Sequence, residues 1–192
     1  MKTRIAILIS GRGSNMAALI DAARAPDCPF EIALVTSDRS AAPGLDLAAA
    51  HGIAIERLTY DKTTYYQQLH VILSDHAIDV IALAGFMRIL PAEFVARWAG
   101  RIVNIHPSLL PRHRGLATHA RVLAANEPVT GCTVHLVTAQ LDDGPILGQT
   151  EVAVLPEDDA ATLAARVLIA EHQLYAQVLA DFVTRERQPR QL

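Results

Sequence analysis

Runs of apolar residues alternate with amphipathic stretches along most of the chain. The runs are short and nearly continuous in apolar character, as expected of strands buried on both faces of a sheet. The predicted strands span residues 4–9, 30–36, 53–58, 79–84, 101–106, 132–137 and 146–154. The predicted helices span residues 16–24, 44–50, 64–75, 91–100, 118–126 and 160–184, and a polar tail follows from residue 185. This alternation predicts an α/β fold: a single domain over residues 1–192, with a Rossmann-like, doubly wound, mostly parallel sheet of about seven strands flanked by helices.

Composition and charge narrow the class of protein. Hydrophobic residues make up 51% of the chain and charged residues 19%, which is typical of a globular domain rather than a disordered segment. The net charge is −3 and there is no basic block, so we expect no nucleic-acid partner held through its phosphates. No apolar run approaches the roughly 20 residues of a membrane span, and no signal peptide is recognised. Cys28 and Cys132 lie far apart without metal-ligand spacing, so we expect free thiols in a cytoplasmic protein.

The most informative stretch is Asn-Ile-His-Pro-Ser-Leu-Leu-Pro at residues 104–111. Asn104 and His106 are two residues apart on a predicted strand, so their side chains point to the same side of the sheet, with Cα atoms about 6–7 Å apart. Pro107 ends the strand there, at the edge where open α/β sheets bind their ligands. Asn104 can donate a hydrogen bond to a developing oxyanion, and His106 can carry positive charge or move a proton. The pair therefore predicts transfer of an acyl-type group without a covalent enzyme intermediate.

A carboxylate should complete such a site, and two candidates, Asp142 and Asp143, follow a predicted strand directly. The alternative is that they belong only to a structural Asp-Gly turn. His135 alternates with apolar neighbours on its strand, so it faces either the same cleft or an ordinary sheet environment. His119 begins a predicted helix, where it either belongs to the site or interacts only with the neighbouring backbone. The remaining histidines show no metal-ligand pattern, so we predict no catalytic metal.

A glycine-containing turn at residues 11–15 links the first strand to the first helix. Glycine allows a ligand to approach the backbone, and the helix N-terminus offers free N–H groups to an anion. A tight turn whose helix is capped by Ser14 or Asn15 is an equally good interpretation. A dinucleotide fingerprint with Asp38 as the ribose acid fits only partly, because Met16 stands where the third glycine is needed. We therefore favour a single phosphate group as the ligand.

Taken together, these motifs resemble the phosphoribosylglycinamide formyltransferases, the folate-dependent glycinamide ribonucleotide transformylases of purine synthesis. The resemblance covers essentially the whole chain and rests on four segments in the same order and spacing. They are Ile-Ser-Gly-Arg-Gly-Ser-Asn at residues 9–15, Ala-Gly-Phe-Met-Arg-Ile-Leu at 84–90, Asn-Ile-His-Pro-Ser-Leu-Leu-Pro at 104–111, and Leu-Asp-Asp-Gly-Pro at 141–145.

The resemblance implies a reaction and roles for individual residues. The amine of glycinamide ribonucleotide would attack the formyl carbon of the co-substrate 10-formyltetrahydrofolate through a tetrahedral intermediate, with no metal. The implied catalytic residues are Asn104, His106 and Asp142. The implied substrate-binding residues are Arg12, Gly13, Ser14 and Asn15 for the phosphate and Glu171 for the ribose. The implied folate-binding residues are Met87, Arg88, Ile89, Leu90, Val95 and Gln140. The partners would be small molecules, and the protein a monomer or a homodimer.

The chain departs from the family pattern at a few positions. Asp143 stands where the family commonly has glycine, and Arg114 stands where it often has proline. Lys62 aligns only loosely with a phosphate-side arginine of the family. Three alternatives remain: a methionyl-tRNA formyltransferase, which would carry a further basic domain; a formyltetrahydrofolate hydrolase, which typically has a second histidine where this chain has Pro107; and a nucleotide-binding module without catalysis.

Overall fold

A computed structural model describes residues 1–187 of the chain and contains a seven-stranded sheet with helices on both faces. The strands are β1 (Thr3–Ile9), β2 (Phe30–Ser37), β3 (Ile55–Arg57), β4 (Val80–Leu83), β5 (Ile102–His106), β6 (Val129–Leu136) and β7 (Ile146–Ala153). The helices are α1 (Ser14–Ala23), α2 (Pro43–Ala50), α3 (Tyr65–Asp75), α4 (Ala92–Arg97), α5 (Thr118–Ala124) and α6 (Ala160–Arg187). The predicted α/β class and strand number are confirmed. Helix α6 continues past residue 185, where a polar tail was predicted, and the rest of that tail lies outside the described residues.

The sheet order is β3-β2-β1-β4-β5-β6-β7. Strands β1 to β5 run parallel, whereas β6 pairs antiparallel with β5 and β7 pairs antiparallel with β6. A mostly parallel sheet is therefore confirmed, and the reversal at β6 is the feature that the strand pattern left undetermined. The reversal matters for the site because it sets His135 directly opposite Asn104.

The core lies on both faces of the sheet, which explains why the central strands are apolar throughout. Ile5, Ile7 and Ile9 of β1 pack in a cluster with α1 and α6, whereas Ala6 and Leu8 pack in a second cluster with α3 and α4. Alternate residues of one strand thus pack against the helices on opposite faces of the sheet. Burying each large aliphatic side chain contributes about 1.5–3 kcal/mol to the free energy of folding.

The chain winds outward from β1 in both directions, so the carboxyl ends of β1 and β4 border the point where the strand order reverses. Crevices of this kind hold the ligands of open α/β sheets. The segments that leave the two strands there are joined by a backbone hydrogen bond from Ser10 N–H to Gly85 O, with N···O 3.2 Å. Among the helices of residues 1–187, none combines the length and the apolar character needed to cross a bilayer.

Candidate active site

Asn104 is oriented by a hydrogen bond from its side chain to His135. Nδ2 of Asn104 lies 3.1 Å from Nε2 of His135, and Nδ1 of His135 lies 2.9 Å from the carbonyl oxygen of Leu136. Because a carbonyl only accepts, Nδ1 of His135 carries the hydrogen, and Nε2 accepts from the Asn104 amide. Burial lowers the pKa of His135, against the opposing effects of the Leu136 carbonyl and the charge of Asp142. A neutral His135 thus directs the Asn104 carboxamide. His135 is a buried, hydrogen-bonded residue of the sheet that does not line the cavity, and it contacts the site through Asn104.

His106 is buried, and both of its ring nitrogens face acceptor oxygens. Nδ1 lies 3.3 Å from Oδ2 of Asp142, and Nε2 lies 3.0 Å from the carbonyl oxygen of His113. The His113 carbonyl requires a hydrogen on Nε2, and an ionised Asp142 is best satisfied by a second hydrogen on Nδ1. The arrangement therefore suits a positively charged imidazolium, which is the form able to stabilise a nearby oxyanion electrostatically.

Asp142 is held by the backbone as well as by His106. The N–H of Gly115 donates to Oδ2 of Asp142 with an N···O distance of 2.9 Å, and the carboxylate is 8% exposed. Oδ1 lies 3.7 Å from Nε2 of His135, beyond hydrogen-bond distance. One carboxylate oxygen is thus engaged by the protein, while the other remains available as a proton acceptor.

Asp143, the second candidate of that segment, forms an ion pair with Arg114, whereas His106 pairs with Asp142. The two residues at which the chain departs from the expected pattern therefore contact each other. The next residue, Gly144, has no room for a side chain, because a Cβ there would lie 1.7 Å from the carbonyl oxygen of Leu136. Asp142 itself has a φ of 48°, a left-handed conformation that is uncommon for a non-glycine residue.

The loop of residues 111–115 supplies backbone groups that sequence reasoning missed. The oxygen of His113 accepts from His106, and the N–H of Gly115 donates to Asp142. The ring of His113 is anchored to Glu127, with Nε2···Oε1 2.8 Å, and this bond is the main reason for the lowered pKa of Glu127. Backbone groups carry no side-chain signature, so no residue pattern could have identified them. His119 is partly buried near His106, and burial is the main cause of its lowered pKa.

The predicted phosphate loop precedes α1 without a side-chain cap. Gly13 occupies the N-cap position with a φ of 75°, and a Cβ there would lie 2.9 Å from Cε of Met16. Neither Ser14 nor Asn15 caps the helix, so that alternative is wrong, and the first N–H groups of α1 are left for an anion. Gly13, Ser14 and Asn15 thus lie where a phosphate would meet the helix terminus, with Arg12 exposed beside them.

The side chain of Asn15 links this loop to α6. Its Nδ2 donates to Oε2 of Glu171 at 2.9 Å, and both side chains are buried. Burial raises the pKa of Glu171, while the hydrogen bond from Asn15 opposes that rise. Burial, with a smaller effect of Glu171, raises the pKa of the Cys132 thiol to about 12. Cys28 and Cys132 are both free and buried.

An open cavity lies beside Asn104 and Asp142, and both residues line it. The rest of its lining comes from the β4 exit and from the segment after β6: Leu83, Phe86, Arg88, Ile89, Leu90, Val137, Thr138, Ala139, Gln140 and Leu141. The predicted folate residues Arg88, Ile89, Leu90 and Gln140 are therefore brought together with two of the catalytic candidates. Met87 is instead 64% exposed, and Val95, a residue of α4, is buried in the core.

Asp38, the ribose acid of the dinucleotide alternative, is buried and already paired. Nε of Arg88 donates to Oδ2 of Asp38 at 2.7 Å, and the Arg88 guanidinium stacks 4.0 Å above the ring of Tyr60. A carboxylate held in this way is not presented to a ribose hydroxyl, so the structure gives that alternative no support. Lys62 is exposed. Within residues 1–187, no group of three or more His, Cys, Asp or Glu side chains could hold a metal ion.

Comparison with known proteins agrees with this geometry. Residues 3–179 match the family model described as formyl transferase. The chain is 41% identical to a phosphoribosylglycinamide formyltransferase of Escherichia coli (strain K12), over 93% of this chain and 86% of that protein. A crystal structure of a phosphoribosylglycinamide formyltransferase from Brucella melitensis superposes with a TM-score of 0.91 at 50% identity, covering 95% of this chain and 96% of that one. The chain is also 42% identical to the trifunctional purine biosynthetic protein adenosine-3 of Homo sapiens, but 93% of this chain spans only 18% of that relative's length.

Proposed function

The chain belongs to the formyl transferase family and, within it, to the phosphoribosylglycinamide formyltransferases, and from this premise we propose that it transfers a formyl group from 10-formyltetrahydrofolate to the amine of glycinamide ribonucleotide. The reaction would be a step of de novo purine biosynthesis that leads toward IMP. The observation that carries the proposal is that Asn104 and Asp142 line one cavity while His106 contacts Asp142 directly. We propose that residues 1–192 act as one domain on small molecules in the cytoplasm, with the phosphate site in the N-terminal part and the folate site in the C-terminal part.

The cavity lining fits a formyl-folate. Phe86, Ile89 and Leu90 give it an apolar wall that suits a planar ring system, and the chain on either side offers backbone polar groups. When bound, the folate would supply an activated formyl carbonyl. The lining residues would orient that carbonyl toward Asn104 and Asp142.

Asn104 and His106 would stabilise the negative charge that develops on the formyl oxygen. His135 holds the Asn104 carboxamide by one of its N–H groups, which leaves the second N–H free to donate to the oxyanion. His106 would contribute positive charge, since both of its N–H groups are satisfied by Asp142 and His113 when the ring is protonated. A donor fixed before the reaction need not reorganise as the charge appears, which is the basis of its catalytic effect.

Asp142 would move the proton that the reaction releases. The amine nitrogen forms a bond to the formyl carbon, the bond from that carbon to the folate nitrogen breaks, and the amine loses one proton while the folate nitrogen gains one. Oδ1 of Asp142 has no hydrogen bond within residues 1–187, so it is placed to accept the proton and return it, directly or through water. The protein is unchanged at the end of the cycle.

The ribonucleotide would bind at the other side of the crevice. The free N–H groups at the start of α1 would hold its phosphate, with Arg12 to Asn15 around it. Glu171 lies next to this loop through its bond to Asn15, and its carboxylate would accept from the ribose hydroxyls. The phosphate would therefore set the distance between the substrate amine and the carbonyl.

One assay tests the proposal. Purified protein is mixed with 10-formyltetrahydrofolate, with and without glycinamide ribonucleotide, and folate absorbance is followed. We expect folate product only when the ribonucleotide is present. Turnover with water alone would instead identify a hydrolase. Ribonucleotide binding without turnover would indicate a nucleotide-binding module without catalysis.

A further inference from the structure

We propose that the ion pair between Arg114 and Asp143 is a latch that positions Asp142 for catalysis. This inference rests on the proposed function, since it concerns the same site. Arg114 and Asp143 do not line the cavity, and neither is a catalytic residue. They act on the reaction through Asp142, whose carboxylate must lie against His106.

The latch lies next to the contact that it holds. The N–H of Gly115 donates to Oδ2 of Asp142. The ion pair joins the adjacent positions, Arg114 in the first loop and Asp143 in the second. Two loops that are distant in the sequence are therefore joined at adjacent positions, once by a backbone hydrogen bond and once by opposite charges. Opening the ion pair would loosen the neighbouring hydrogen bond first.

The loop of residues 111–115 is also held by Glu127. Glu127 accepts from Arg112, with N···O 2.9 Å, and from the ring of His113, with N···O 2.8 Å. The bond from the His113 ring holds the His113 carbonyl against His106, whereas the exposed Arg112 side chain bonds only to Glu127, and neither bond includes a residue of the Asp142 segment. Arg114 is the side chain of this loop that reaches across, so it couples the fixed loop to the segment that carries the carboxylate.

The second segment needs such a tie because its local conformation is unfavourable. Asp142 is in the left-handed region with a φ of 48°, and Leu141 before it is 53% exposed. A non-glycine residue keeps such a backbone conformation only when surrounding contacts enforce it. Two contacts hold the residues that follow Asp142: Asp143 pairs with Arg114, and Gly144 packs against the Leu136 carbonyl.

The pair is partly exposed, with side chains 42% and 36% accessible, so its effect is modest and sensitive to salt. We expect Arg114→Gln and Asp143→Asn each to lower kcat about 1.5- to fivefold, the range that corresponds to loss of an exposed ion pair. The KM for the ribonucleotide should not change, since its phosphate site lies on β1 and α1. Added salt should lower kcat of the wild type toward the value of the variants and leave the variants unaffected.

The decisive measurement is a double-mutant cycle with a matched control. The combination of Arg114→Gln with Asp143→Asn should be no slower than either single variant, and the exchange of Arg114→Asp with Asp143→Arg should recover activity. Arg112→Gln is the control: it removes a charged pair from the same loop without touching the Asp142 segment, and it should keep wild-type kcat. Additive losses, or an equal loss in Arg112→Gln, would overturn the latch.

Hydrogen exchange separates this inference from the proposed function. The Gly115 amide should exchange faster in Arg114→Gln than in the wild type, and at the wild-type rate in Arg112→Gln, whatever reaction the protein catalyses. Unchanged Gly115 exchange in Arg114→Gln would refute the latch even if formyl transfer is observed. Absence of formyl transfer by the wild type, with the expected exchange pattern, would refute the function alone.

Discussion

Nδ1 of His106 lies 3.3 Å from Oδ2 of Asp142, and this contact joins the end of β5 to a segment that begins only after β6 has crossed the sheet. Because β6 runs antiparallel to β5, it passes His106 first and ends beside the start of β5, where Leu136 pairs with Val103, and the segment after β6 then brings Asp142 back to His106. The same reversal sets His135 opposite Asn104. The antiparallel strand and the segment that follows it therefore bring the carboxylate, the imidazole and the amide together.

Replacing Asp142 by Asn tests the proposed proton transfer. The amide keeps the size of the side chain and can still accept from Gly115, but it cannot take a proton or neutralise His106. We expect kcat to fall at least about 100-fold, the lower range for loss of a general acid–base group, with little change in either KM. Steady-state kinetics with both substrates measures this. Asp27→Asn, at an exposed surface aspartate, is the control, and equal activity of the two variants would contradict the assignment.

Removing the Asn104 side chain tests oxyanion stabilisation. In Asn104→Ala the donor is lost while β5 remains intact, so we expect kcat to fall about 10²- to 10³-fold. Thermal unfolding should stay close to that of the wild type, because Asn104 is only partly buried. A large rise in KM with unchanged kcat would show that Asn104 binds the ground state instead.

The decrease of kcat at acid pH should follow the protonation of His135. Its pKa is lowered below the ordinary value of 6.5, so the neutral form contributes stability that is present above that pH and is lost as the pH falls through the lowered pKa. Protonation also turns Nε2 into a donor facing the Asn104 amide. We expect kcat to fall on this acid limb in the wild type. His135→Gln, which keeps an acceptor at the end of the side chain, should remove the limb, and an unaltered profile would exclude this role.

Glu171 should give the opposite dependence in stability. Its pKa is raised above 4.5 by burial, so its stabilising contribution is complete below that pH and is lost as the pH rises through the raised value. We expect the stability of the wild type relative to Glu171→Gln to decline with increasing pH, as measured by urea unfolding. The KM for the ribonucleotide should rise about tenfold in this variant, through loss of a charged hydrogen bond. A pH-independent difference in unfolding would contradict the burial argument.

Gly144→Ala tests how closely the Asp142 segment must pack. A Cβ would lie 1.7 Å from the Leu136 carbonyl, so the backbone has to move and Asp142 moves with it. We expect a loss of about 1–3 kcal/mol in the free energy of unfolding and a larger relative loss of kcat. Gly11→Ala, where no atom lies within 4 Å of the added methyl group, is the matched control for stability. Wild-type kcat in Gly144→Ala would show that the segment adapts freely.

Much of the fold followed from local patterns. The apolar continuity of the central strands predicted burial on both faces, and the two-residue spacing of Asn104 and His106 predicted that both point to one side. These features depend on neighbours in the chain, which is why one sequence was enough. The strand direction of β6, the exposure of Met87 and the burial of Val95 were not predictable in this way, since they depend on which segments pack together.

The sequence by itself determined which elements form and where the polar residues leave them, because helix and strand periodicity are local properties of the chain. Only the tertiary structure decided the contacts between distant segments: Asn15 with Glu171, the His113 carbonyl with His106, and Arg114 with Asp143. Such contacts arise from the order and direction of strands in the sheet, and the His113 contact uses a backbone atom that every residue type possesses. No residue pattern specifies them, so they become visible only when the chain is folded.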